Sequence, residues 1–576
     1  MKTIFFISVE NRRLPLAGNR RLLSFRLSAA FFQAGTLLSP RRSGTLAAAM
    51  TTQKRFYVTT AIDYVNGEPH LGHAYEKVIT DVIARAHRSM GEPTFYLTGA
   101  DEHGQKVQQA AVAAGKDPQI HCDELAEIWQ NFAKKLNLSN DGFIRTTDPR
   151  HEAVVQAILA KLHEKGELYK ARYEGYYSTK EETFLTERDR RPDGTFDPAY
   201  GEVTRLVEEN YYFRMSAYQD WLLEHVREHP EFVAPDYRRN EVLGFLTHNK
   251  LEDLCVTRPR RRLSWGVPLP FDSEFVTYVW FDALINYVSY PGMLGDPAVA
   301  EALGNWLPKG AALKPTPEIR LWPADIHVIG KDILKFHAVY WPIMLKAAGL
   351  PLPRQVLVHG WWQKDNQRMS KSLGNVVDPI AVIDEWGVDA FRYYVVRELD
   401  IGPDGNWTDA GFAARYETEL ANGLGNLVNR SLSMLHRYRK GVVPQPHEEL
   451  AQETDALVKK CRELLERHQL QAALKGIWDI VDLANRYVDR TQPFKLAKDP
   501  AQAERLDAIL YNLVEICRIL AALLWPFLPD AAVRIYQQLN LEETPDRFEQ
   551  TAWGSLKAGH QTNRPAPLFP RKDLAR

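Results

Sequence analysis

The chain has 576 residues, 45% of them hydrophobic and 25% charged, with a formal net charge of −1. That length exceeds what one hydrophobic core supports, so three or four structural units are expected and a small single-domain module is excluded. The near-neutral balance excludes binding of nucleic acid by bulk charge, and an RNA partner has to be met by a local basic surface.

The charge is unevenly spread. Residues 1–49 carry Lys2 and seven arginines against Glu10, a net of +7, which leaves the remainder near −8. An arm rich in Arg, Ser and Leu with a single acid has the composition of an organellar transit peptide. An over-extended start explains it as well, because Met50 leads straight into the first strand; this account is preferred, and the arm is expected to be unpacked. No run reaches the roughly 18 apolar residues of a membrane-spanning helix. Cys122, Cys255, Cys461 and Cys517 lack CxxC spacing, so neither a disulfide framework nor a structural zinc site is expected from them.

In chain order, Phe56 to Thr60 reads as a buried strand, residues 66–69 as a turn, and Ala74 to Met90 as a helix with apolar residues at helical spacing. His70-Leu71-Gly72-His73 opens that helix, where free backbone N–H groups and the dipole favour a phosphate. Residues three apart share a helical face, so His70 and His73 can reach one anion while Gly72 admits close approach of a nucleotide. The same pair also suits a metal. Thr94 to Thr98 is a second strand running into Asp101-Glu-His103-Gly, and at the carboxyl end of a parallel strand Asp101 and His103 are expected to face the crevice of His70. Segments 117–137 and 150–166 read as covering helices.

From 172 to 275 the alternation of strand and helix breaks down into hairpins, with a helix through Trp221 to Glu228 returning the chain to the body. The parallel pattern is expected to resume at Phe275, at Ile326 and at Val356, each a strand leading into a loop and a helix. Gly330-Lys331-Asp332 sets a flexible backbone, a cation and a carboxylate at a strand end, the partners a ribose and a phosphate need; a helix start with a surface lysine is the plainer alternative. Arg368-Met-Ser-Lys371-Ser forms a basic loop. Beyond a break at 402–406, segments 409–440, 450–468, 471–490 and 502–524 read as an α-helical bundle, with Asn426 and Arg430 one turn apart and Phe494 at a helix terminus.

The HLGH and RMSKS segments, in this order, resemble the HIGH and KMSKS signatures of the class I aminoacyl-tRNA synthetases. With Asp101-Glu-His-Gly, Tyr278-Val-Trp-Phe-Asp-Ala-Leu, His327-Val-Ile-Gly-Lys-Asp and Leu424-Gly-Asn-Leu-Val-Asn-Arg, the resemblance is greatest to the methionyl-tRNA synthetase family and covers Arg55 to Trp525. It implies an α/β fold, a Rossmann-like parallel sheet split by a connective insertion and followed by an all-α anticodon-binding bundle. The boundaries it suggests are an arm at 1–49, a first catalytic half at 50–171, the insertion at 172–275, a second half at 276–375, a linking stem at 376–410, the anticodon-binding domain at 411–541 and a tail at 542–576. It implies that His70, His73 and Lys371 are catalytic, with Gly72, Gly330, Lys331, Asp332 and Arg368 also on ATP. The methionine pocket falls on Ala61, Ile62, Tyr64, Asp101, Trp280, Ala283, Tyr287, Ile333 and His337, and the anticodon on Asn426, Arg430 and Phe494.

Several relatives carry CxxC pairs in the insertion. Here Ser178, Glu181, Asp197 and Tyr200 stand at those places, so no structural zinc is expected. Arg368 replaces the first lysine of KMSKS, and Phe494 stands where the family usually has tryptophan. The resemblance further implies ATP with Mg2+, L-methionine and tRNA(Met) as partners, no membrane, a monomer lacking the extra C-terminal module, and a cytoplasmic site, or the mitochondrial matrix if the arm is a transit peptide. Weighed against it are a synthetase for another amino acid, a non-catalytic RNA-binding descendant and a metal-dependent hydrolase using His70, His73 and His103.

Overall fold

The computed structural model describes residues 54–65, 67–178, 180, 183–185, 189–369 and 374–572. The arm at 1–49, Glu181 and Lys371 lie outside the described residues.

The strands are β1 (Phe56–Thr60), β2 (Asp63–Tyr64), β3 (Thr94–Asp101), β4 (Gly142–Arg145), β5 (Leu168–Ser178), β6 (Thr183–Leu185), β7 (Val203–Phe213), β8 (Val233–Ala234), β9 (Leu254–Cys255), β10 (Thr257–Pro259), β11 (Phe275–Thr277), β12 (Ile326–Gly330), β13 (Gln355–His359), β14 (Trp362–Lys364), β15 (Gln367–Arg368) and β16 (Gly405–Trp407). The central sheet runs β4-β3-β1-β12-β13-β8 and every pair in it is parallel. β2 takes up β3 beyond the point where β1 leaves it. From β1 the chain moves outward to β3, and from β12 it moves the other way to β13. The carboxyl ends of β1 and β12 therefore diverge and leave a crevice where ligands of open α/β sheets bind.

The strand expected at Phe275 is not part of this sheet. β11 pairs antiparallel with β10 in a separate two-stranded ribbon. The edge is instead closed by β8, two residues long and far too short to show periodicity. The insertion holds a four-stranded sheet ordered β6-β5-β7-β9, its long β5–β7 hairpin in register from Leu168↔Phe213 to Ser178↔Val203. In this insertion the Ser178 hydroxyl donates to the Tyr200 carbonyl at 2.6 Å and Asp197 caps the turn at 198–200. Among the described residues no group of three or more His, Cys, Asp or Glu side chains converges as a metal site requires.

Helix α1 (Leu71–Ser89) packs between the sheet and the helical region and is buried nearly all round, so its polar residues need internal partners. Lys77 pairs with Asp63 at 2.5 Å, Glu76 with His359 at 3.1 Å, and Asp81 with Arg85 and Arg392, both at 2.8 Å. Arg392 comes from the stem and also donates to Pro526 and Phe527 carbonyls of the bundle, so one guanidinium joins three parts of the chain. The bundle has the expected helices at Asn426–Arg439, Ala451–Glu466, Leu470–Thr491 and Ala503–Leu524, and a further one at Pro529–Gln538. The tail from 542 packs against it through Leu556, Leu568 and Phe569. Among the described residues no helix is long and apolar enough to cross a membrane.

Candidate active site

His70 is the N-cap of α1, and the cap fixes the chemistry of both histidines. The Gly72 N–H donates to His70 Nδ1 at 3.1 Å, and the His70 backbone N–H donates to His73 Nδ1 at 3.2 Å. A ring nitrogen that accepts carries no proton, so each imidazole keeps its proton on Nε2. The rings stack at 3.6 Å and 22°. Desolvation, then the neighbouring His70, Lys77 and His359, hold His73 well below the ordinary histidine range, so it is a neutral donor at physiological pH. A Cβ at Gly72 would stand 3.0 Å from His70 Cε1 and crowd the ring that makes the cap.

These residues face a cavity of about 690 Å³ over the carboxyl ends of β1, β12 and β13. His70, Gly72, His73, Gly330, Asp332 and Arg368 line it, together with Met369. The described start of the basic loop thus shares a cavity with the histidines some 300 residues earlier in the chain. Lys331 is not among the lining residues. Its ammonium is held by both oxygens of Asp404 at 2.7 Å. Burial alone would raise the Asp404 carboxyl, but hydrogen bonds from Lys331 and the Trp361 N–H outweigh it and hold it low.

A second cavity of about 260 Å³ shares the Ala61, Ile62, Tyr64, Trp280, Asp332 and Ile333 walls with the first. All nine residues expected around methionine line it: the six on or after β1, β3 and β12 (Ala61, Ile62, Tyr64, Asp101, Ile333, His337) and Trp280, Ala283 and Tyr287. The Tyr287 hydroxyl donates to His337 Nε2 at 2.7 Å, and His337 Nδ1–H donates to the Ile333 carbonyl at 3.0 Å. Burial lowers the His337 imidazole to about 4, so the pair is uncharged. Trp280 stacks on Phe336 at 3.8 Å and 10°, a flat apolar part of the wall of the cavity that Asp101 also lines.

His103, expected in the crevice, lines neither cavity. It is buried and bonds Asp282 Oδ2 through Nδ1 at 2.7 Å, while His151 Nε2 takes the other oxygen at 2.9 Å. Burial would raise the Asp282 carboxyl, yet the two imidazoles bring it down to about 2. The chain leaves β3 after Asp101, so alternation along the strand no longer directs His103, and the ring supports the helix Val279–Leu284 that carries Trp280. The sequence reading also missed Glu76, His359, Trp361, Asp404, Phe336 and Lys106, all of which line one of the cavities. Of these only His359 had a signal, its place at the carboxyl end of β13.

In the bundle, Asn426 is exposed and Phe494 is 49% exposed. The Arg430 guanidinium donates to Asn485 Oδ1 at 2.6 Å and lies 3.6 Å from Asp489, on the helix Leu470–Thr491, which ends just before the short turn of helix Pro493–Leu496 that carries Phe494.

The buried imidazoles have a consequence for stability. His73, His327, His337 and His468 are all lowered by desolvation first, His337 and His468 to about 4. Unfolded, they titrate near 6.5, so below that pH the unfolded chain binds more protons and stability falls. His337 alone is worth on the order of 3 kcal/mol by pH 4 at ~1.4 kcal/mol per pKa unit. For His103 and His359 burial lowers the pKa, but Asp282 and Glu76 outweigh it and raise it. Their contribution is complete below ~6.5 and fades as pH rises, so it does not offset the acid-side loss. Burial raises the Asp63 and Asp389 carboxyls, to about 7 and about 6, and works the other way over this window, so the imidazole share is read by difference. His337→Asn is expected to flatten the acid-side fall of Tm relative to wild type between pH 6.5 and 4, and an unchanged profile contradicts the assignment of a neutral buried imidazole.

A parallel sheet split by an insertion, two joined cavities at its switch point and a helical bundle behind it together make a class I aminoacyl-tRNA synthetase. The family model described as tRNA synthetases class I (M) matches residues 56–204 and 199–432, and that of the anticodon binding domain of methionyl tRNA ligase matches 439–573. The chain belongs to the methionine–tRNA ligase family. It is 41% identical to the methionine–tRNA ligase of Caldanaerobacter subterraneus subsp. tengcongensis, covering 91% of this chain and 80% of that one. To the Rhizobium meliloti enzyme it is 42% identical over 90% of this chain and 98% of the relative. Among solved structures it resembles Mycobacterium tuberculosis methionyl-tRNA synthetase in complex with methionyl-adenylate, with a TM-score of 0.81, 38% identity and coverage of 90% and 100%.

Proposed function

We propose that the chain activates L-methionine with ATP to methionyl-adenylate and diphosphate, and then transfers the methionyl group to the 3′-terminal adenosine of tRNA(Met), serving initiation and elongation of translation. The observation that carries this reading is the shared wall between a nucleotide-sized cavity headed by His70 and His73 and an amino-acid-sized cavity holding Asp101. Two substrates placed there have their reacting groups adjacent.

The methionine ammonium pairs with Asp101 while its thioether lies among Trp280, Ala283, Tyr287, Ile333 and His337, with aromatic faces suited to a polarisable sulfur. Its carboxylate then attacks the α-phosphate and diphosphate departs. The ribose hydroxyl of the tRNA terminus later attacks the acyl carbon and AMP departs. No protein nucleophile is needed. The Nε2–H groups of His70 and His73 and the side chains of Arg368 and Lys371 relieve charge that builds on the phosphates, while Gly330, Lys331 and Asp332 orient the adenosine. ATP enters as its Mg2+ complex, the ion held chiefly by phosphates and water. Asn426, Arg430 and Phe494 meet the anticodon, Phe494 by stacking.

Exchange of radiolabelled diphosphate into ATP tests the reading. It is expected to require methionine and to proceed without tRNA. Exchange driven by another amino acid, or none with any, overturns it. The same reading takes the protein as a cytoplasmic monomer, with the mitochondrial matrix as alternative; native mass spectrometry of the purified protein reads both the number of chains and the residue at which each begins.

A further inference from the structure

Two tryptophans follow Gly360 and they do different work. Trp362 is 5% exposed and sits edge-on to Tyr75, beside Tyr394 and Trp407, so although it too lines the cavity it is packed into the core. Trp361 is half-buried in the wall of the nucleotide cavity, and each of its parts is engaged. Its indole N–H donates to Asp332 Oδ1 at 3.1 Å. Its ring lies under the Lys331 ammonium at 4.3 Å and the Arg368 guanidinium at 4.8 Å. Its backbone N–H donates at 2.9 Å to the Asp404 oxygen that also holds Lys331.

These partners come from three separate stretches: the loop after β12, the start of the basic loop and the turn before β16. Glycine at 360 is what lets them meet, because a Cβ there would stand 2.0 Å from the Pro403 carbonyl oxygen and push the 403–404 turn away.

We propose that Trp361 is a positioning residue for the nucleotide, holding Asp332, Lys331 and Arg368 in one arrangement through its indole N–H and its ring. This rests on the reading of the larger cavity as the ATP site. The N–H removes one of the two rotational choices open to the Asp332 carboxylate, and the ring gives two like charges a common seat that offsets their repulsion. A flexible carboxylate and two long cationic side chains would otherwise have to be ordered when ATP binds.

Three variants separate these roles in methionine-dependent diphosphate exchange. Trp361→Phe keeps an aromatic ring and loses the N–H, and it is expected to raise KM for ATP about ten-fold, the value of one hydrogen bond to a charged group. Trp361→Ala loses the ring too and is expected to raise it about five-fold further. KM for methionine moves less than two-fold in both, and Tm stays within a few degrees. Adding Trp361→Phe to Asp332→Asn is expected to change KM for ATP little beyond the single Asp332 variant, because the two act as a unit. An unchanged KM for ATP in Trp361→Phe overturns the proposal. So does an equal rise in both KM values with a falling Tm, or full additivity with Asp332→Asn. Absence of exchange in the wild-type protein overturns the functional reading itself, a separate result.

Discussion

Asp101→Asn is expected to raise KM for methionine by about 100-fold or more while leaving KM for ATP within a few-fold. The residue ends β3 and is 8% exposed, in a cavity whose other walls are mainly aromatic and aliphatic. An ammonium brought into such a place gives up its hydration and needs a counter-charge at contact. Removing one partner of a buried, hydrogen-bonded charge pair costs about 2–5 kcal/mol, much of it the penalty of the charge left behind. Lys106 and Asp332 also line this cavity, so the variant leaves one cation facing one carboxylate and removes the excess negative charge that attracts the ammonium. The backbone bond at this position, from the Val65 N–H to the Asp101 carbonyl, is unaffected by the change. The decisive control is the des-amino analogue of methionine, which has no ammonium; its inhibition constant is expected to be alike in wild type and variant. A methionine KM within three-fold of wild type would remove Asp101 from the role given to it.

The nine residues expected around methionine, which line one cavity, came from the resemblance to the family; what the residues themselves made legible was the sheet beneath it, because a parallel strand announces itself. Phe56–Thr60, Ile326–Gly330 and Gln355–His359 are short, apolar runs with branched side chains, and the chemistry of an open sheet sits just past their carboxyl ends. What sequence could not convey is where a side chain goes once its strand has stopped. Lys331 and Asp332 are neighbours at one strand end, yet Asp332 lines the cavity and Lys331 turns to Asp404, 73 residues away. His103 stands two places from Asp101 and is drawn off by Asp282. Both outcomes depend on a distant carboxylate. Phe275–Thr277 has the composition of a central strand and ends in a two-stranded ribbon because β10, lying close by, takes its hydrogen bonds, while the dipeptide Val233–Ala234 closes the sheet. Composition sets the tendency to form a strand, and the partner decides which sheet it joins.

Lys371→Ala is expected to lower the rate of adenylate formation by about 100- to 1,000-fold with the dissociation constant of methionine unchanged. Negative charge on the triphosphate redistributes toward the departing diphosphate as the α-phosphate is attacked, so a cation placed there binds the transition state more tightly than bound ATP. Lys371 comes two peptide links after Met369, which lines the cavity with His70 and His73, and two links span no more than about 7 Å. A tether of that length is short enough for a lysine side chain to reach phosphates bound in the cavity. His73, stacked on His70 at the cap of α1, is a neutral donor that can orient a phosphate but supplies no full charge, so it cannot substitute for the ammonium. Loss of the cation should therefore appear in the chemical step and leave the amino-acid cavity untouched, since Lys371 adjoins none of its walls in sequence. Single-turnover formation of methionyl-adenylate, set beside equilibrium binding of methionine, separates the two quantities. An adenylate rate near wild type would take the basic loop out of the mechanism, and a matching loss of methionine affinity would assign it to the fold instead.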